Sequence, residues 1–242
     1  MRPPLFHRRL LAPALLLCAC APAFAVGTLA QSLSAAAPSA NPRVIDLAVR
    51  AQDCAVRSGE PTPERLAVID YSRPSTEPRL WVFDLARQKL LFEELVAHGR
   101  NSGDNLARNF SNAPGSLESS LGLFRTLGTY SGRNGYSLRM DGLEPGVNDR
   151  ALERALVIHG APYVSAATAR RMGRLGRSWG CPAVRPAVAQ RLIDTLKGGQ
   201  MVFSYYPDAR WLHASPYLRC EGEPAAVAAA APHASGRGAA AR

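Results

Sequence analysis

A histidine and a cysteine, each beside a glycine, are the residues of this 242-residue chain whose types and setting suit covalent chemistry. His159 ends an apolar run and precedes Gly160, and Cys181 follows Gly180 in a turn ahead of an apolar-periodic segment. Only the thiolate of a cysteine attacks, and an unperturbed cysteine is only about 3% ionised at pH 7. A histidine within hydrogen-bond reach accepts the thiol proton or stabilises the thiolate as an ion pair. Cys181 and His159 are therefore a candidate nucleophile and base.

The residues around Cys181 suggest how a substrate would be held. Gly180 allows a close backbone approach, and the amides of Gly180 and Cys181 are candidate donors to an oxyanion. Pro182 has no N–H and contributes nothing there. Two neighbouring side chains, the Ser178 hydroxyl and the Trp179 indole, are further candidate donors to the oxyanion and substrate contacts. The Arg177 guanidinium is a candidate both for lowering the pKa of the thiol and for contacting substrate. From residue types alone, a cysteine packed as a small apolar side chain and a buried structural histidine explain the pattern equally well.

Short apolar runs separated by turns indicate that strands position these residues. Asn41-Pro42 suits the start of a first helix, Asn134-Gly135 predicts a hairpin, and a second clear helix is expected over 186–196. The predicted strands are 66–71, 80–85, 90–97, 121–127, 136–140, 155–159 and 201–206, with a helical turn at 168–172 and a polar loop at 101–120. Helices that do not alternate with strands favour a mostly β or α+β domain.

Both ends of the chain are expected to lie outside the folded unit. A basic start, an apolar run over 10–19 and the sequence Ala23-Phe24-Ala25 predict a signal peptide over 1–25, and hence export to the periplasm or cell envelope. The apolar run is too short for a stable membrane span. The Ala/Ser-rich stretch 26–41 predicts a flexible lead-in, and the Ala-rich stretch 223–242 predicts a disordered tail. A single domain over 42–222 remains.

Composition narrows the class of protein. Hydrophobic residues at 47% and charged residues at 20% suit a globular core, and five cysteines are too few for a disulfide scaffold. These values exclude a fibre, a knottin and a multi-span membrane protein. The net charge of +10 suits an anionic envelope polymer, whereas predicted export and the lack of a basic-aromatic motif disfavour nucleic acid as a partner. Neither C-x-x-C nor H-E-x-x-H occurs, so no metal or cofactor is expected.

Removal of 1–25 would leave an odd number of cysteines, namely Cys54, Cys181 and Cys220. In an oxidising compartment this suggests one disulfide and one free thiol. We expect Cys54, on the first helix, to pair with Cys220, which would leave Cys181 free. The alternative is that Cys54 and Cys220 are inert thiols.

The segments around His159 and Cys181 resemble the active-site signature of the murein L,D-transpeptidase catalytic domain family, of the cysteine-dependent YkuD type. The shared signature is His159-Gly160 followed by Ser178-Trp179-Gly180-Cys181. The longer pattern covers about 65–210 and includes 119–124, 135–138, 142–144, 148–149, 157–161, 173–184 and 205–208. Trp179 stands where the family usually has a second histidine, Ala183 replaces a usual polar residue, and His159 and Cys181 are further apart than is common.

The resemblance implies a β-sandwich-like catalytic domain with a helix before the sheet and a helix after the nucleophile. It also implies a reaction. Cys181 attacks a peptidoglycan stem peptide at the carbonyl before the fourth residue, D-Ala, while His159 takes the thiol proton and passes it to the leaving amine. The carbonyl of Gly160 is expected to orient the imidazole. An amine of a second stem then takes the acyl group in a cross-link, or D-Ala is exchanged.

The sequence is also compatible with two other classes of function. Transfer of the acyl group to water would make the protein an L,D-carboxypeptidase, and a non-catalytic cell-wall-binding module is a third class. Ser120 and Tyr136 are candidate groove residues beside Arg177 and Trp179. Exposed loop positions are the expectation for His98, Glu144, Asn148 and Asp149.

Overall fold

The structure, a computed structural model, describes residues 23–220 and contains five helices and nine strands within that range. The helices are α1 (Ala23–Ala36), α2 (Pro42–Arg57), α3 (Ala166–Met172), α4 (Pro186–Leu196) and α5 (Ala209–Ala214). The strands are β1 (Arg65–Asp70), β2 (Leu80–Asp84), β3 (Lys89–Glu94), β4 (Val96–Ala97), β5 (Gly122–Gly132), β6 (Gly135–Gly142), β7 (Val157–Gly160), β8 (Ala183–Val184) and β9 (Met201–Tyr205).

The two long predicted helices begin where their sequence signals lie. The side chain of Asn41 accepts a hydrogen bond from the Arg43 amide at the start of α2, and Pro42 occupies the first turn, where a missing N–H costs nothing. Pro186 plays the same part in α4. Both helices are amphipathic and bury one face, because apolar residues recur at helical spacing along them.

The strands form one sheet in the order β3-β2-β1-β9-β5-β6-β7-β8-β4. Its two outermost strands, β3 and β4, are separated in the chain by Leu95 alone. The sheet must therefore curve until its two edges meet. The expected α+β class is confirmed, and the expected sandwich-like packing takes the form of this single curved sheet. Strands β1, β2 and β9 are almost wholly buried, with α2 packed against β1 and β9.

The segment 26–41, expected to be a flexible lead-in, is largely helical. Helix α1 runs through most of it and packs on α2 and β3, with Ala30, Leu33 and Ala37 buried. A stretch of small residues predicts flexibility because it can bury little apolar surface. In this segment, however, the small side chains allow α1 and α2 to approach closely. Most of the expected signal peptide, and the tail 223–242, lie outside the described residues.

The expected pairing of cysteines is present. Cys54 on α2 and Cys220 form a disulfide with their Cα atoms 5.8 Å apart, and Cys181 is the free cysteine of the described residues. The disulfide ties the first predicted helix to the last residue of the described chain and does not involve Cys181.

Candidate active site

A parallel strand pair brings His159 and the cysteine segment together. His159 lies on β7 opposite Ala183 of β8, and its amide donates to the carbonyl of Pro182 at 3.4 Å. Parallel neighbours need a crossover connection, and the segment containing α3 supplies it. The register places Cys181 two residues before Ala183, the strand partner of His159. Two residues that are far apart in sequence are thereby brought onto neighbouring segments of the sheet.

Cys181 and His159 line the same cavity, which has a volume of about 330 Å³. The cavity wall also includes aromatic rings and guanidinium groups. Its other lining residues are Tyr130, Arg133, Asn134, Arg154, Ala155, Tyr163, Arg177, Ser178 and Trp179. The candidate nucleophile and the candidate base therefore border one cavity.

The imidazole of His159 is held in one tautomer. Its Nδ1 lies 3.0 Å from the carbonyl oxygen of Gly160, and a carbonyl only accepts, so Nδ1 carries the hydrogen. Nε2 is then the basic nitrogen of the neutral ring. Burial lowers the pKa of His159, and the Gly160 carbonyl offsets part of that effect. This is the orienting contact that the resemblance implied for Gly160.

The Cys181 thiol is almost buried. Its Sγ contacts the carbonyl oxygen of Ala155 at 3.7 Å. Ala155 has a left-handed backbone, with φ of 51°, a conformation that non-glycine residues adopt at some energetic cost. Burial raises the pKa of the Cys181 thiol, with smaller opposing effects from the Val157 and Cys181 amides and from the charge of Arg154. A raised thiol pKa and a lowered imidazole pKa together favour a neutral pair over a resting thiolate–imidazolium ion pair.

Hydrogen bonds inside the nucleophile turn engage two of the expected oxyanion donors. The Ser178 hydroxyl accepts from the Gly180 amide at 3.1 Å and donates to the Cys181 carbonyl at 2.6 Å. Ser119 fastens the same turn by donating to the Gly180 carbonyl at 3.1 Å. Gly180 has φ of 121°, which only glycine adopts readily. Ser178 and Gly180 thus shape the turn, and the sequence-predicted donors that remain are the Cys181 amide and the exposed Trp179 indole.

Arg177 and Trp179 both line the cavity, but the Arg177 side chain is hydrogen-bonded to the protein whereas the Trp179 side chain is largely exposed. The Arg177 guanidinium donates to the carbonyls of Arg100 and Gly103 and to the carboxylate of Asp104. Trp179 is 61% exposed, and the guanidinium of Arg133 stacks over its ring at 5.5 Å. Arg177 therefore braces the wall, whereas the indole is presented at the mouth of the cavity.

Tyr136 does not line this cavity. Ser137 is the strand partner of both His159 and Tyr130, and side chains of paired residues lie on the same face of a sheet. Tyr136, one residue earlier, faces the other way, and its hydroxyl donates to Asp194 at 2.8 Å. Tyr130 is the tyrosine that lines the cavity, which strand alternation would have revealed had the register been known.

Ser120 also lies outside the cavity lining. It is buried, donates to the carbonyl of Ser111 at 2.8 Å and accepts a hydrogen bond from Arg154. Ser120 therefore contacts Arg154, which lines the cavity, but does not line the cavity itself.

Arg154 and Tyr163 are cavity residues that sequence reasoning missed. Arg154 is one arginine in a chain rich in arginine, and nothing in its immediate sequence distinguishes it. Tyr163 stands in the crossover between β7 and β8, where its side chain packs against the backbone of Gly176. The one available signal for both was their closeness in sequence to His159.

Three residues expected in exposed loops are buried. His98 is 1% exposed, with Nδ1 2.7 Å from the buried guanidinium of Arg79 and Nε2 3.3 Å from the carbonyl of Gly103. Glu144 accepts from the Leu123 amide and the Trp211 indole, and burial raises its pKa. Asn148 donates to the carbonyls of Leu121 and Leu123. Polar residues in these loops brace the backbone instead of facing solvent; only Asp149 is exposed.

A larger cavity, of about 680 Å³, is lined in part by residues of the segment 108–118. Its lining includes Arg108, Phe110 and Trp211 but neither Cys181 nor His159. We place the candidate active site in the smaller cavity because that one contains the nucleophile and the base.

The family model described as "L,D-transpeptidase catalytic domain" matches residues 36–205. The chain therefore belongs to the L,D-transpeptidase catalytic domain family. No curated protein sequence matches the chain. Within residues 23–220, none of the helices combines the length and apolar character of a membrane span.

Three solved structures to which the chain is similar are distant from it in sequence. An L,D-transpeptidase from Mycobacterium smegmatis is 14% identical, with a TM-score of 0.39 and 59% of each chain covered. The helical cell shape determining protein Pgp2 from Campylobacter jejuni is 11% identical, with a TM-score of 0.39, covering 65% of this chain and 56% of that one. A cysteine-to-serine mutant of Enterococcus faecium L,D-transpeptidase is 12% identical, with a TM-score of 0.36 and coverage of 59% and 50%. The chain thus spans little more than half the length of these proteins.

Proposed function

We propose that the protein is an exported cysteine L,D-transpeptidase that acts on peptidoglycan stem peptides through a thioacyl-enzyme. The observation that carries this proposal is a free cysteine in one cavity with a histidine whose Nδ1 is committed to a carbonyl. That arrangement leaves Nε2 as the proton acceptor, which is the nitrogen a general base needs.

In the first half-reaction, Sγ of Cys181 attacks the carbonyl of the third residue of a stem tetrapeptide, and the thiol proton moves to Nε2 of His159. The carbonyl becomes a tetrahedral oxyanion, to which the Cys181 amide is our candidate donor. The intermediate collapses by breaking the C–N bond, and the imidazolium returns the proton to the amine of the leaving D-Ala. A thioester between Cys181 and the stem remains.

In the second half-reaction, the side-chain amine of another stem attacks the thioester carbonyl. His159 takes the proton from that amine, the C–S bond breaks, and the sulfur leaves as thiolate and is reprotonated. The product is a cross-link between two stems. Attack by the amine of a D-amino acid gives exchange, and attack by water gives a tripeptide.

The neutral resting pair determines when the nucleophile forms. Since burial raises the pKa of Cys181 and lowers that of His159, little thiolate exists before substrate binds. Proton transfer then accompanies attack, because the charge that leaves the sulfur is taken up by the developing oxyanion. This differs from an enzyme that stores a preformed ion pair.

Export is part of the same proposal. A Cys54–Cys220 disulfide persists in an oxidising compartment and is rare in a reducing one. Cleavage after Ala25 would leave the buried residues Ala30 and Leu33 of α1 in the mature chain. N-terminal sequencing of protein recovered from the cell envelope should begin at Val26, and an uncleaved, cytosolic chain would contradict the proposal.

The test of the activity is incubation of the mature protein with muropeptide tetrapeptides, followed by mass spectrometry. We expect dimers or exchanged D-amino acids, together with an acyl adduct on Cys181. Cys181→Ala should abolish product and adduct, and Arg150→Gln, an exposed substitution outside the cavity lining, serves as the matched control. Tripeptide alone would indicate a carboxypeptidase. No product and no adduct from a folded chain would contradict catalysis and leave a binding module.

A further inference from the structure

A guanidinium group is fixed beside the nucleophile by the loop that precedes β5. Arg154 lines the cavity that contains Cys181, and its Nη1 and Nη2 atoms donate to the carbonyls of Ser111 and Glu118. They also donate to the hydroxyls of Ser116 and Ser120. An arginine used only to bind substrate would not need its guanidinium N–H groups to be hydrogen-bonded to protein acceptors. This one is held in place before any substrate arrives.

The segment carrying Arg154 touches the nucleophile on two sides. The residue after Arg154, Ala155, supplies the carbonyl that the Cys181 thiol contacts at 3.7 Å. The residue before Cys181, Gly180, has no room for a side chain, since a Cβ there would stand 2.8 Å from the Glu118 carbonyl and 3.4 Å from Nη2 of Arg154. The nucleophile turn therefore packs directly on the contact between Arg154 and Glu118.

Backbone strain coincides with this contact. Ala155, beside Arg154, and Leu117, beside Glu118, both have left-handed backbones, with φ of 51° and 59°. Non-glycine residues in this region cost energy and tend to occur at functional sites. Both strained residues flank the contact that aims the guanidinium.

We propose that Arg154 is a positioning residue whose fixed positive charge stabilises the thiolate of Cys181. This inference rests on the proposed function, because it assigns the charge a part in forming the nucleophile. When the thiol proton moves from Sγ to Nε2 of His159, a negative charge appears in a nearly buried site. The guanidinium charge favours that state, since its interaction with the sulfur is attractive and poorly screened by water.

The charge acts on the sulfur more than on the imidazole. The charge of Arg154 lowers the pKa of Cys181, against the larger effect of burial, whereas the pKa of His159 responds to burial and to the Gly160 carbonyl. The other groups around the sulfur are compatible with this role. Tyr71 and Tyr163 face it with pKa values raised to about 12 and stay neutral, and the Glu118 carboxylate offsets part of the guanidinium charge.

The pH dependence of thiol alkylation tests the proposal without any substrate. Cys181 is the free cysteine of the described residues, so the iodoacetamide rate of the oxidised mature protein against pH reports its ionisation. We expect Arg154→Gln to move the alkylation midpoint up by about one pH unit, which lowers the rate at pH 7 about tenfold. Arg154→Lys keeps the charge and should recover most of that shift. Arg150→Gln removes an exposed arginine of the same segment and should leave the midpoint unchanged.

A purely structural role would give a different result. Arg154→Gln and Arg154→Lys would then lower the melting temperature alike, and both would keep the wild-type midpoint, which would overturn the proposal. If Arg154→Gln fails to fold, Ser116→Ala combined with Ser120→Ala loosens the guanidinium without removing it. That variant should show a smaller upward shift, and an unchanged midpoint would again overturn the proposal.

The outcome is separable from that of the muropeptide assay. A shifted midpoint in a protein that forms no acyl adduct would sustain the role of Arg154 and contradict the transpeptidase proposal. Acyl transfer by a protein whose midpoint ignores Arg154 would do the reverse.

Discussion

Two buried imidazoles, that of His159 on β7 and that of His98 just after β4, are held in opposite tautomers. His98 receives a hydrogen bond at Nδ1 from Arg79, which cannot accept, so its Nε2 carries the hydrogen and faces the Gly103 carbonyl. His159 carries its hydrogen on Nδ1, against the Gly160 carbonyl, and its ring borders a cavity. Burial lowers the pKa of both, that of His98 to about 4 with the help of the neighbouring Arg79 charge.

In these two histidines, the size of the pKa shift does not follow access to a cavity. His98 is the more strongly perturbed of the two, yet protein groups contact both of its nitrogens. His159 is less perturbed, and its Nε2 is the nitrogen left for chemistry. A perturbed pKa marks a candidate active site only when a cavity lets another molecule reach the group.

Substitution of each histidine by glutamine should have the largest effect and gives the sharpest contrast. His159→Gln should lower kcat/KM for transpeptidation by about 10²- to 10⁴-fold, because general base and acid catalysis are lost together. His98→Gln keeps an acceptor for Arg79 and a donor for Gly103, so kcat/KM of the folded variant should stay within about threefold. Both are measured on muropeptides at a pH where each variant is folded. Equal losses would remove the distinction drawn between the two sites.

The pH dependence of stability should distinguish them next. The pKa of His98 is about 4 when folded and about 6.5 when unfolded, so the unfolded chain binds more protons between these values. Its contribution, up to about 3 kcal/mol, is complete above pH 6.5 and is lost as pH falls towards 4. The free energy of unfolding measured in urea should therefore fall over that pH range more steeply for the wild type than for His98→Gln. Parallel curves for the two proteins would contradict the buried, neutral state of His98.

The pH profile of the reaction should show the smallest effect. Because the pKa of His159 is lowered and that of Cys181 is raised, kcat/KM should rise with pH through a midpoint below 6.5 and then form a broad plateau. At pH 6.5 the loss relative to the plateau should be less than about twofold. A narrow bell centred near neutral pH would indicate a preformed ion pair instead.

The sequence alone was sufficient where a requirement is local. A glycine-flanked cysteine and histidine, an asparagine cap and prolines at helix starts each have a short-range cause, and all lie where they were expected. Ser120, Tyr136, His98 and Glu144 were misjudged because a side chain's face depends on strand register and loop packing. Helix α1 was missed because its stability comes from contacts with α2 and β3, not from its own Ala/Ser-rich composition.

Residue types and spacing thus predicted a candidate nucleophile and base, and they predicted the Cys54–Cys220 pairing that the structure contains. Only the tertiary structure decided what surrounds them: the tautomer of His159, the use of Ser178 inside its own turn and the guanidinium of Arg154 beside the sulfur. The reason is physical. The reaction that a side chain can perform is set by its residue type. Its tautomer, charge environment and solvent access depend on neighbours that the fold brings together from distant positions in the chain.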